Sequence, residues 1–200
     1  MSPLKSSVWP SLPVRSGRVR AFAFAAVVLV AALAVSIAWL VYDRAIATNP
    51  PVSWDEGAHS LFGVLVAQDM RQGNLLALAY DTYRQVYWPP IHSWLVAVGF
   101  LAFGETIAVS RGVSLAAYVL LPLALMAAAR LMYPAGESRR GWTAAAIAGL
   151  LALAMPAFVP FASLAFLDLP ALLALSLTLL AAFFAERATA LSLPRVGAGL

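Results

Sequence analysis

The chain predicts an all-α, polytopic membrane protein, and three observations carry that prediction. Of its 200 residues, 62% are hydrophobic and 11% charged, a balance far from that of soluble domains. Residues 21–42 run apolar without interruption. Most basic residues gather at 5–20, 130–140 and 187–195, flanking apolar stretches as a topology signal would place them. Cysteine is absent, which excludes a disulfide framework, thiolate chemistry and any Cys-based metal site. The net charge of +4 is spread too thinly for a nucleic-acid groove, so no nucleic-acid partner is expected.

Taken in order, Met1–Arg20 holds Lys5, Arg15, Arg18 and Arg20, no acid, and several Pro and Ser residues. This reads as a disordered, basic cytoplasmic tail. The apolar run Ala21–Tyr42 covers roughly 33 Å at 1.5 Å per residue, enough to cross a hydrocarbon core of about 30 Å. A cleaved signal peptide, with Ala45-Ile46-Ala47 as its cleavage site, is the competing reading. The run exceeds the roughly 7–15 residues of such a peptide's apolar region, so an uncleaved span is expected.

The long loop 43–108 follows, rich in acids (Asp43, Asp55, Glu56, Asp69, Asp81, Glu105) and poor in bases, as a translocated loop would be. Two amphipathic helices are predicted inside it. The first runs from about Trp54 to Gln72, with apolar residues at helical spacing and Gly73-Asn74 as its stop. The second opens at Pro89-Pro90 and ends at Gly104. At roughly 20 Å it is too short to cross, and is expected to lie flat in the interface. With that helix flat, crossings at 109–132, 142–158 and 169–185 follow, the one at 142–158 kinked or frayed at Pro156 and Pro160. Arg130, Arg139 and Arg140 then fall inside, and Asp168 shares the outer side with Asp55. Four crossings with both ends cytoplasmic result. Residues 186–200 are a cytoplasmic segment, and its ending at Val196–Leu200 is expected to be a truncation.

Ser53-Trp54-Asp55-Glu56-Gly57-Ala58-His59 sets two carboxylates and an imidazole just beyond an apolar span, where charge is costly enough to mark function. Ser53-x-x-Glu56 is also a capping box, which gives Glu56 a structural reading beside the functional one. Asp55 is not needed by that box, and a carboxylate at a helix start suits a general base acting on an acceptor hydroxyl or amine. His59 shares a helix face with both acids, so Asp55, Glu56 and His59 are also candidate ligands of a divalent metal; no cofactor beyond that option is expected. Around Pro89-Pro90, Tyr87, Trp88 and Trp94 fit an interfacial aromatic belt. Tyr83, Arg84 and His92 extend beyond a belt: Arg and His are what a phosphate would want. Arg111 could add a second cation or snorkel to the headgroups. Asp168, in Phe166-Leu167-Asp168-Leu169-Pro170, is the one acid between Glu137 and Glu186; it reads as a helix cap or as a second carboxylate for the site.

A first span, then W-D-E-G-x-H, then Y-W-P-P-I-H-S-W-L, then F-G followed by an Arg, and later a lone Asp before Leu-Pro, resembles the N-terminal part of the GT-C glycosyltransferases. The protein O-mannosyltransferase and aminoarabinose transferase group is the nearest in pattern, over about Ala21 to Phe184. The resemblance implies a multi-pass enzyme of a bacterial inner membrane with its site on the periplasmic face. Its donor would be a sugar on a polyprenyl phosphate, its acceptor a lipid, glycan or protein, and transfer would be inverting. Asp55, Glu56 and Asp168 would be its catalytic acids. Tyr83, Arg84, His59, His92 and Arg111 would bind substrate. Family members carry further spans, so the chain alone could be inactive. The competing class is a non-catalytic membrane subunit or lipid-binding fragment that keeps the fold.

Overall fold

The structure, a computed structural model, describes residues 16–85 and 88–192. Every regular element among them is helical. Helix α1 spans Ser16–Val41 and passes without a break into a π-helical turn, Tyr42–Ile46. Then come α2 (Trp54–Gln72), α3 (Leu75–Tyr83), α4 (Pro90–Phe103), α5 (Ile107–Leu131), α6 (Ser138–Leu153), α7 (Phe158–Ser163) and α8 (Asp168–Ser192).

Among the described residues, three stretches have the length and apolar content to cross a membrane: Gly17–Ile46, Ile107–Leu131 and Asp168–Glu186. The crossing expected at 142–158 is different. Its helix, α6, has 16 residues, about 24 Å, and stops before Pro156, whose ring and missing N–H cannot continue a helix. The chain resumes helically as the six-residue α7, within what was expected to be irregular chain around Pro160. The tail is also corrected at its inner end. Helix α1 begins at Ser16, so Arg18 and Arg20 stand on its first turns, Arg being a good helix former. The rest of the tail, Tyr87 and Arg195 lie outside the described residues. At the other end α8 continues to Ser192, making helix of the first part of the segment expected after 185.

Helix α5 is the central post, with α1, α6 and α8 packed against it. One apolar cluster joins Ala38 and Val41 of α1 to Ala117, Tyr118 and Leu121 of α5, Ala162 of α7 and Leu169 of α8. A second joins Ala26 and Val30 to Met126 and Ala145. Small residues make these approaches possible, as they do between helices in lipid. A Cβ at Gly149 would lie 2.7 Å from Met126 Cγ and 3.1 Å from Val30 Cγ1.

Loop 43–108 forms its own packed unit. Helices α2 and α4 lie together over Val66, Ala67, Val96, Ala97 and Phe100, with a tight approach at Gly63, where a Cβ would meet Val96 Cγ1 at 2.4 Å. Both expected helices are present. Helix α3, between them, was not expected: Asp81 and Thr82 stand only in its last turn, and it starts immediately after the stop signal. Gly73 ends α2 in the left-handed conformation (φ 66°), and Asn74 then caps α3 by accepting from the Ala77 N–H at 3.1 Å. One two-residue corner thus serves both helices.

Candidate functional site

The N-terminus of α2 is built by the capping box. Ser53 Oγ accepts from the Glu56 N–H at 3.4 Å, and Glu56 Oε2 accepts from the Ser53 N–H at 3.1 Å. The Glu56 carboxylate has two further attachments. Arg111 of α5 donates through Nε to Oε1 at 2.8 Å and through Nη2 to Oε2 at 3.1 Å, and the Ala165 N–H donates to Oε1 at 2.9 Å. Both side chains are wholly buried. Arg111 Nη2 also donates to the carbonyls of Pro50 and Pro51, at 3.2 and 3.4 Å. Burial alone would raise the Glu56 pKa, but Arg111 and the Ala165 and Ser53 N–H groups together hold it below the ordinary 4.5.

This node ties four parts of the chain together: the Pro50-Pro51 segment, the start of α2, α5, and the strap that leads into α8. Its geometry corrects two expectations. Glu56 has no edge open to substrate, so it leaves the candidate catalytic set. Arg111 neither snorkels nor faces a headgroup: its Nε and Nη2 are spent on a buried carboxylate and two carbonyls, and its Nη1 is buried without a hydrogen-bond partner.

What the node positions is a cleft of about 370 Å³ lined by Asp55, His59, Trp88, Phe161, Phe166, Leu167 and Asp168. Asp55 is the residue before Glu56, and Asp168 is three beyond Ala165, so the two anchored backbones bring both acids to one opening. Ser114 Oγ adds a tie to the second wall, donating to the Phe166 carbonyl at 2.7 Å. Both acids are solvent-accessible. His59 is buried between Trp88, whose ring meets it edge-on at 5.0 Å, and His92, at 5.1 Å and nearly perpendicular. Burial pushes the His59 pKa below 6.5, with Asp55 and Asp168 pulling the other way. His92 is deeper still. Burial, with His59 beside it, takes its pKa down to about 4 despite the Ala165 backbone, so His92 is neutral at physiological pH and is not the phosphate-binding cation expected of it.

Other expected residues lie elsewhere. Arg84 pairs with Asp81 at 2.8 Å and sits over the rings of Phe62 and Tyr80. Phe62 in turn touches Trp88, so Arg84 stands one ring behind the cleft wall. Tyr83 is 87% exposed and lines no part of the cleft. The metal set Asp55, Glu56 and His59 does not form, since Glu56 faces Arg111. Among the described residues no three His, Asp or Glu side chains gather as a metal would need.

Phe161 and Leu167 of the second wall carried no signal in the sequence, because an apolar residue in an apolar chain stands out only when its neighbours are known. Trp88 read as a belt residue and is instead a wall of the cleft. The arrangement offers two accessible carboxylates and a neutral imidazole against an aromatic surface. Chemically that is a place to orient and deprotonate a hydroxyl or amine. Comparison with protein-family models, curated proteins and solved structures finds no match to this chain.

Proposed function

We propose that the chain is the acceptor-activating part of a membrane glycosyltransferase that takes a sugar from a polyprenyl-phosphate donor. The observation that carries this reading is the convergence of Asp55 and Asp168, 113 positions apart in sequence, on one cleft with His59. A structural cap has no need of a partner acid across a cavity; an acid pair that handles a proton does. Asp55 takes the proton of the acceptor hydroxyl. The acceptor oxygen then forms its bond to the anomeric carbon as the bond from that carbon to the phosphate oxygen breaks, and the polyprenyl phosphate leaves with the electron pair. Asp168 and the neutral His59 hold the acceptor in line. Trp88, Phe161 and Phe166 offer apolar surface to a sugar ring, as binding clefts that combine aromatic walls with a few polar groups do.

In this reading α4 lies in the interface, and α6 completes a fourth crossing together with the chain after it. The cleft then opens at the outer face of a bacterial inner membrane, and the acceptor is a lipid, glycan or protein. A second reading is favoured by one specific observation: among the described residues no cation lines the cleft, because Arg111 and Arg84 are engaged by Glu56 and Asp81 and His92 is neutral. An anionic leaving group therefore meets two carboxylates there. A non-catalytic membrane subunit needs no such cation.

Transfer of labelled sugar from polyprenyl-phosphate donors in membranes, wild type against Asp55→Asn, separates the two. The transferase reading expects a loss of about 10²–10⁴-fold with the protein still inserted and folded. No transfer from any donor by the wild type leaves the subunit reading.

A further inference from the structure

At the far end of α5 from the cleft, a second pocket gathers cations that the proposed chemistry does not use. Arg111 and Arg130 stand 19 residues apart on that helix, about 28 Å along its axis. The pocket has a volume of about 360 Å³ and is lined by Tyr133, Arg139, Arg140, Thr143, Ala144 and Ile147, a size usual for small-ligand sites. Tyr133 comes just after Leu131, where a candidate span ends.

Five of those six residues stand on α6 at helical spacing: Arg139, Thr143 and Ile147 in one row, Arg140 and Ala144 in the next. One face of the helix therefore runs from two guanidinium groups to an apolar floor, over about 12 Å. The apolar surface continues past the pocket, since Ile147 is 52% exposed and Leu151, one turn on, 65%. Segment 130–140 holds three arginines and one acid, Glu137. Glu137 meets Arg140 at 3.4 Å in an exposed pair, which contributes little. Among the described residues no acid pairs with Arg139. Packing of α5 on α6 brings up the third arginine: Arg130 lies across Gly141, where a Cβ would meet its Nη1 at 3.1 Å. A charge bias across the membrane asks only for cations near the loop. It does not ask that two helices gather them beside a pocket with an apolar floor.

We propose that this pocket binds an anionic phospholipid, its phosphate against Arg139 and Arg140 and an acyl chain along Ile147 and Leu151. The planar fork of arginine matches phosphate oxygens. Thr143 Oγ1 donates to the Arg139 carbonyl at 3.0 Å, so its one proton is spent and the guanidinium groups supply the donors. The floor decides between a lipid and a soluble phosphate. A soluble phosphate leaves Ala144 and Ile147 uncovered, whereas a lipid with its head at the end of a span lays a chain beside them. Charge then selects an anionic headgroup over a zwitterionic one, whose own ammonium would face the arginines. Basic pockets at the membrane ends of packed helices bind anionic headgroups in this way. The site stands apart from the cleft and does not depend on the transferase reading.

The test titrates an acyl-labelled phosphatidylglycerol into the full chain in neutral detergent and reads fluorescence anisotropy. Saturable binding is expected, displaced by unlabelled phosphatidylglycerol and not by phosphatidylcholine or glycerol phosphate. Arg139→Gln with Arg140→Gln is expected to weaken it about fivefold per basic residue, so roughly 25-fold together. Both arginines are exposed, and a melting curve unchanged from wild type checks that the double variant is folded. Ala144→Trp, which keeps both arginines and fills the floor, should weaken binding as well. Arg18→Gln with Arg20→Gln removes the same charge from the start of α1, outside the pocket, and should leave binding unchanged. Equal losses from the two double variants would reduce the effect to surface charge and overturn the site. Displacement by phosphatidylcholine as strong as by phosphatidylglycerol would overturn the recognition of charge. Displacement by glycerol phosphate would make this a site for a soluble anion and overturn the lipid.

Discussion

Replacing Arg111 by Met strands the Glu56 carboxylate in the protein interior. The structure lets the cost be worked through. Glu56 would lose the two guanidinium bonds at 2.8 and 3.1 Å and keep only the Ala165 and Ser53 N–H groups. The Pro50 and Pro51 carbonyls would lose their donor as well. Breaking one side of a buried ion pair costs about 3–5 kcal/mol, because an uncompensated charge stays behind. For a chain of this size each kcal/mol moves the melting temperature by roughly 2–4 °C, so a fall of roughly 6–20 °C is expected. Thermal unfolding in detergent, followed by the fluorescence of the six tryptophans, reads it. Adding Glu56→Gln to Arg111→Met should recover at least half the loss. It removes the stranded charge and leaves an amide oxygen for the Ala165 N–H. A fall under about 3 °C for Arg111→Met, or a double variant less stable than the single, would refute the claim that this pair holds the site together.

The remaining predictions test separate links. The Glu56 pKa is depressed in the fold, so the node's contribution is present above about pH 4.5 and is lost as pH falls through the lower folded value; Glu56→Gln should flatten that acid limb in pH-dependent melting. His92 titrates at about 4 against an ordinary 6.5, so the unfolded chain takes up its proton first. Stability should therefore fall by about 1.4 kcal/mol per pH unit across that window, and His92→Gln should remove that slope. Gly63→Ala forces a Cβ to 2.4 Å from Val96 Cγ1 and 2.9 Å from Val96 Cβ, at a cost of about 1–3 kcal/mol. Val96→Ala in the same chain should relieve it, while Gly149→Ala, which meets the flexible Met126 side chain, should cost less. Asp55→Asn should leave the melting temperature within about 2 °C of wild type, because Asp55 is exposed and surface changes are small; a larger fall would make Asp55 a structural residue.

Some of this was legible along the chain because its causes are local. The capping box at Ser53–Glu56, the stop at Gly73 and the start at Pro90 each depend on residues within one helical turn. The expected bounds of α2 and α4 accordingly match the helices found. Where local signals were silent or conflicting, the expectation failed. Helix α3 is nine residues long with Asp81 and Thr82 only in its last turn, too short a stretch to show a period. Helix α6 ends at Leu153, before Pro156, so it is the expected helix bound at 158 that fails there.

The sequence by itself determined that the chain is helical and built for a membrane, since apolar content and the length of apolar runs are properties of the chain alone. It also marked the acids, because ionisable groups are rare in such a composition. Only the tertiary structure decided what those groups are for. Glu56 and Arg111 are 55 positions apart, and Asp55 and Asp168 are 113 apart. No periodicity reaches across such distances. The fold makes one adjacent acid a buried structural ion and leaves the other at an open cleft, because consecutive residues on a helix point about 100° apart and only packing chooses which of them faces Arg111.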